Sequence, residues 1–237
     1  MVLREAKEFE DGFDASLAGQ SLHALLRNFY QALKTEEQKA DSQILHNLQA
    51  RRIWMERELS AISEKEFKRL IEGDSRVLGT LRDWQKQIPS FVDWQLQREQ
   101  AGWKYFDGEV KVGFNLPFQD EQGNRKTIRI EGFADRFDVQ VENSAIASVI
   151  DYKNQRFERV KVRAEHLLDD PQLLIYARAA NESQESHKLA GHKVRQAEWV
   201  ALKADLSKGE QKALRSQDVG NVPALLEQFT AQITEDV

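Results

Sequence analysis

The sequence predicts an α+β protein: a central mixed sheet flanked by helices, with an N-terminal helical region or insertion ahead of it. Three observations predict this. Helix-period apolar patterning fills the first hundred residues, β-branched and aromatic runs begin near Glu109, and helix and strand patterns alternate from there to the C-terminus. The 237 residues suffice for a single domain, mainly helical over 1–104 and sheet-based over 105–237.

Ser16 is placed to cap a first helix in which Leu22, Leu25, Leu26, Phe29 and Leu33 recur every three to four residues. A second helix covers Asp41 to Ser60, and a third runs from about Ser63 into the Trp84 region. Pro89 lacks the N–H that a helix interior uses, so it is expected to interrupt the pattern, with another helix from Ser90 ending at Ala101–Gly102. Glu109–Phe114 and Arg125–Val139 then read as strands joined by a turn at Gln119–Asn124. Ala145–Lys153 is a third strand, following the polar turn Glu142-Asn143-Ser144. Asp169 or Asp170 is expected to cap a helix with Pro171 in its first turn, ending near Ala180. Lys193–Lys203 reads as another strand, and Asn221-Val222-Pro223 opens a last helix. No internal repeat or low-complexity tract interrupts this order.

A chain of this length buries enough surface to fold without disulfide or structural metal. It contains no cysteine, which excludes thiol catalysis, Cys-ligated zinc and Cys-bound iron–sulfur clusters, and which fits a reducing, cytoplasmic setting. The charged opening Met1–Gly12 has no apolar stretch of the kind a signal peptide needs. Apolar runs such as Ala145–Ile150 are far too short to span a bilayer, so no membrane association is expected. The net charge of −5 argues weakly against a protein that coats nucleic acid indiscriminately, and does not exclude a site built from carboxylates. One stretch runs the other way. Lys153, Arg156, Arg159, Lys161 and Arg163 face a single acid, Glu158, and read as a solvated loop or strand edge.

The strongest chemical signal is Val149-Ile150-Asp151-Tyr152-Lys153. Side chains alternate along a strand, so Asp151 and Lys153 share a face. An acid there can hold a divalent cation while the ammonium orients an attacking water. The acid-x-Lys spacing alone carries little information, because five other triplets begin at Glu5, Glu37, Glu66, Glu109 and Glu210. Context singles out Asp151: an apolar strand precedes it, and a second acid, Asp135, lies in Gly132-Phe133-Ala134-Asp135-Arg136-Phe137-Asp138 on the preceding strand. A hairpin would bring the two acids together, and facing carboxylates repel unless a cation lies between them. The bland alternative pairs Asp135 with Arg136 or another arginine at a sheet edge.

The runs G-F-A-D-R-F-D, V-I-D-Y-K and Gln172-Leu173-Leu174-Ile175-Tyr176 resemble the nuclease domains of RecB and AddB, in the PD-(D/E)XK superfamily. Those domains show G-x-x-D-R-x-D, I-D-Y-K and Q-x-x-x-Y segments in this order. Gly19-Gln20-Ser21-Leu22-His23-Ala24-Leu25-Leu26 also looks like their G-x-x-x-H-x-x-L segment. The resemblance implies a restriction-endonuclease-like core and hydrolysis of DNA phosphodiesters with Mg²⁺ or Mn²⁺. It implies metal ligation by His23, Asp135, Asp151 and the Tyr152 carbonyl, with Asp135, Asp151 and Lys153 catalytic and Gln172 and Tyr176 contacting DNA. Without the family, His23 reads as structural, Tyr176 as core and Gln172 as a solvated first-turn residue.

The superfamily's eponymous proline is replaced by Ala134, and the cysteines that hold an iron–sulfur cluster in AddB-type relatives are missing. The resemblance therefore implies a cluster-free nuclease, acting on single-stranded or end-containing DNA in repair, recombination or defence. The chain has no G-x-x-x-x-G-K-[ST] loop, so a helicase motor would be a partner or a fused domain outside it. The alternative from another class is a catalytically silent DNA- or protein-binding module on the same fold. A purely helical adaptor accounts for the first hundred residues but not for the Asp–Asp–Lys constellation.

Overall fold

Leu22, Leu25, Leu26, Phe29 and Leu33 place one wholly buried stripe on helix α1 (Ala15–Glu37). The computed structural model describes residues 15–73, 75, 77–119, 122–182, 188–203 and 214–235. The charged opening Met1–Gly12 lies outside these residues. Helix α1 is already formed at Ala15, so Ser16 falls within its first turn. A short 3₁₀ turn (Gln43–Leu45) precedes α2 (Leu48–Gly73), which continues through Ser60 and Ser63, where a break was expected. Buried Met55, Leu59, Ser63 and Phe67 explain the continuity: one apolar stripe runs past both serines, and the Ser63 hydroxyl donates back to the Leu59 carbonyl at 2.5 Å.

Helix α3 (Val77–Gln100) also departs from expectation by passing through Pro89 without ending. Trp84, Ile88, Phe91, Val92 and Leu96 are buried on both sides of the proline. Packing of that stripe outweighs the lost backbone hydrogen bond, which is worth about 1 kcal/mol net.

The five-stranded sheet follows chain order, β1-β2-β3-β4-β5. Strand β1 (Trp103–Gln119) starts earlier than its Glu109–Phe114 expectation and pairs along its length with β2 (Arg125–Gln140) as a long antiparallel hairpin. Strand β3 (Ile146–Lys153) is antiparallel to β2 and parallel to β4 (Lys193–Ala201), and β5 (Arg215–Asp218) adds an antiparallel edge. The parallel β3–β4 pair needs a crossover, supplied by α4 (Phe157–Glu165) and α5 (Gln172–Glu182). Thus the basic run after Lys153 is mostly helix, with Val160 buried and its charges at the surface, rather than a loop or strand edge. Asp170 does not cap α5; its carboxylate accepts from Arg163 on α4. Helix α6 (Val222–Glu235) closes the described chain.

Two apolar clusters sandwich the sheet. One joins α1, α2 and α3 to Ile150, Tyr152 and Val200; the other joins α4, α5 and α6 to Ala134, Phe137, Val149 and Trp199. This is the α+β architecture expected, a mixed sheet flanked by helices and preceded by a helical region. No helix among the described residues is long and apolar enough to cross a membrane.

Candidate metal-binding active site

The β2–β3 ladder stops at the pair Arg136↔Ile150. Asp135 and Asp151 come next on their strands, where the ladder has ended. The Tyr152 amide, released from the ladder, donates instead to Asp135 Oδ2 at 2.7 Å. The parting of two central strands therefore makes a gap lined by carboxylates, in which the Tyr152 amide keeps a partner.

Helix α1 closes one side of the gap. The His23 ring sits 3.1 Å from Asp135 Oδ1 through Nδ1 and 3.1 Å from the Tyr152 carbonyl oxygen through Nε2. Both partners are acceptors, so both ring nitrogens donate and the imidazole is protonated. Burial pushes its pKa down, but Asp135, Asp151 and Glu109 outweigh burial and raise it above the usual histidine value.

Helix α5 closes the other side. Lys153 donates to Gln172 Oε1 at 2.7 Å, and Gln172 Nε2 donates to the Tyr176 hydroxyl at 2.8 Å. The one-turn spacing of Gln172 and Tyr176 lines them up behind the lysine. Gly132 makes room for this arrangement, since a Cβ there would stand 3.0 Å from Tyr176 Cε1. Tyr176 thus packs in the core and still presents its hydroxyl to Gln172, and Gln172 is engaged rather than merely solvated.

Asp151 is 1% exposed. Burial and then the Asp135 charge push its carboxyl up to about 6, against the downward pull of Lys153 and His23. Lys153 Nζ lies 2.6 Å from Asp151 Oδ2 and is its ion-pair partner. A buried carboxylate facing a second acid is the donor environment that a divalent cation completes.

Sequence reasoning missed one residue here. Glu109, Asp135 and His23 each offer an atom within 4.8 Å of the others. Glu109 began one of the triplets treated as uninformative. Its backbone is bent to φ 53, the only positive φ outside glycine among the described residues, and this turns a strand residue into the cleft. The signal available was Gly108 immediately before it, which allows close approach: a Cβ there would meet the Asp135 carbonyl oxygen at 3.0 Å. Arg136, the alternative partner for Asp135, points elsewhere and pairs with Asp138 at 2.6 Å.

The mixed sheet, its helical cover and a pair of acids with a lysine where two strands part define a restriction-endonuclease-like fold. The chain belongs to the PD-(D/E)XK nuclease superfamily, whose family model matches residues 2–237. Nuclease activity on DNA and use of divalent metals are the general properties of that superfamily. A comparison with curated proteins finds no match.

Proposed function

We propose that this chain is a metal-dependent deoxyribonuclease of the RecB/AddB-like branch, with exonuclease-like action in DNA repair or recombination. The observation that carries the reading is the buried Asp151 carboxyl, pushed up by burial and by the facing Asp135, beside a cluster in which His23, Glu109 and Asp135 each offer a ligand atom. His23, Asp135, Asp151 and the Tyr152 carbonyl, joined by Glu109, would hold Mg²⁺ or Mn²⁺. When bound, a divalent cation supplies Lewis acidity, neutralising charge on the phosphate and easing ionisation of water.

The protein's own groups do the rest. Lys153, held between Asp151 and Gln172, keeps an ammonium at the strand end, where it orients the attacking water. Gln172 fixes that lysine and, with Tyr176, faces the DNA strand. His23 must release a proton before it ligates, since both ring nitrogens donate in the metal-free chain. Residues 1–237 act as one nuclease domain in the cytoplasm, and a helicase is the expected partner, fused or separate.

The test is incubation of the pure protein with labelled linear and circular, single- and double-stranded DNA. Cleavage is expected with Mg²⁺ or Mn²⁺ and not with chelator. Undiminished cleavage in excess chelator overturns the metal mechanism, and no cleavage of any substrate favours the silent binding module.

A further inference from the structure

The cleft beside His23 is acidic, yet its proposed substrate is a polyanion. An open hollow of about 390 Å³ is lined by Gly19, Gln20, His23, Ala24, Arg27, Glu109 and Asp135. A narrower recess continues inward from it past Arg27, Tyr30, Glu109 and Tyr152. A metal in the gap offsets charge only at the phosphate it touches. A neighbouring phosphate needs a cation of its own, because unit charges in a partly desolvated cleft interact far more strongly than in bulk water.

Lys153 does not meet that need, being engaged by Asp151 and Gln172. Arg27 is the only lysine or arginine lining either hollow. It lies one turn after His23 on the same face of α1 and is exposed. Although Glu109 and Asp135 line the same cleft, Arg27 makes no hydrogen bond or ion pair among the described residues. Arg51, Arg98 and Arg163, by contrast, are tied down, to Glu37 and Glu99, to Asp138 and Glu198, and to Asp170. Gly19, one turn before His23, has open space where a Cβ would stand, so the wall opposite Arg27's end of the helix stays clear.

We propose that Arg27 is a substrate-positioning residue that grips a DNA phosphate next to the one being cut. The proposal rests on the nuclease reading above and adds the contact that holds the strand in register. A guanidinium reads phosphate through its planar fork, with no base preference, so the grip serves any sequence.

The experiment compares wild type with Arg27→Ala and Arg27→Lys, using a fluorescein-labelled oligonucleotide. Affinity is read by anisotropy in Ca²⁺ across a salt series, and KM and kcat are read in Mg²⁺. Arg27→Ala should weaken binding and raise KM about 10-fold while kcat changes less than about 2-fold, as removal of uniform phosphate binding does. Its log–log salt slope should be shallower by roughly 0.7–0.9, one phosphate contact. Arg27→Lys keeps the charge but loses the fork, so it should keep the wild-type salt slope while its KM lies between those of wild type and Arg27→Ala. Because the side chain is exposed and makes no hydrogen bond or ion pair among the described residues, both variants should melt like wild type. An Arg27→Ala protein with wild-type KM and salt slope overturns the proposal and leaves the nuclease reading intact, as does one that loses kcat alone. A wild-type protein that neither binds nor cuts DNA overturns both.

Discussion

Asp135 and Asp138 lie three residues apart on β2, each on a strand that passes through the middle of the protein, and they end up in opposite circumstances. Asp138 is fully buried in an ionic cluster that uses nearly every available group. Arg136 donates to it at 2.6 and 2.8 Å, and Arg98 donates to it and also to Glu198 and, at 2.8 Å, to Ser148. Arg136 also reaches Gln95 at 2.9 Å and the Tyr152 hydroxyl at 3.0 Å, with its guanidinium 4.3 Å from the Tyr30 ring centre. Two arginines balance two acids. Burial pushes the Asp138 pKa up, but Arg136 and Arg98 overcome it and hold the carboxyl below the ordinary range. In the cleft, Asp135, Asp151 and Glu109 share one lysine and one histidine, so the acids outnumber the cations. One cluster is complete and the other is not, and the incomplete one is open to a ligand. The difference separates scaffold from site more sharply than burial does, because Asp138 and Asp151 are equally hidden.

The largest expected effect comes from the incomplete cluster. Asp151→Ala should lose metal binding and lower hydrolysis by more than about 10³-fold. Lys153→Ala should lower hydrolysis comparably but keep metal affinity within about 3-fold, since an ammonium is no ligand. Titration calorimetry with Mn²⁺ and single-turnover cleavage decide this, and equal loss of metal in the two variants would show the assigned roles to be wrong.

Breaking the complete cluster should instead cost stability. Arg136→Met leaves Asp138 sharing Arg98 with Glu198 in the core and should destabilise by about 3–5 kcal/mol in urea unfolding, with part of the loss recovered when Asp138→Leu is added. A loss under about 1 kcal/mol would mean that the cluster does not support the scaffold.

The smallest effect sharpens the contrast through pH. Asp151 titrates near 6 in the folded chain and near 3.8 when unfolded. Between those values the folded state binds more protons, so this group costs stability as pH rises through the window, and the cost is full above it. Asp138, with its lowered pKa, behaves oppositely, and its support is lost only as pH falls. Metal-free Asp151→Asn should therefore be more stable than wild type at pH 7.5, with the gap shrinking by pH 4.5. A gap that widens on acidification would reverse the sign argued here.

Much of this was readable from residue order because the informative segments are strands with one fixed alternation. Val149–Lys153 and Gly132–Asp138 assign faces unambiguously once both are strands, and Asp135 and Asp151 follow as neighbours across a hairpin. What was not readable depended on geometry outside any local window. Glu109 enters the cleft only because its own φ is positive, which spacing does not encode. Helix α4 hides among cations because Val160 alone in it is buried. Strand β5 is four residues long and polar, and it exists by pairing with β4. Pro89 misled for the converse reason: a strong local rule was overruled by the burial of Ile88, Phe91 and Val92.

The contact between His23 and Asp135 joins residues 112 positions apart, and that between His23 and the Tyr152 carbonyl spans 129. Contacts of such separation cost the most chain entropy to close and form late in folding. During synthesis α1 emerges first and can pack on α2 and α3, but the partners of His23 arrive only with β2 and β3. An elongating chain therefore carries all of its N-terminal helices before it carries a finished cleft. The site is complete only once the sheet is, although its first contributor, His23, is made long before its last.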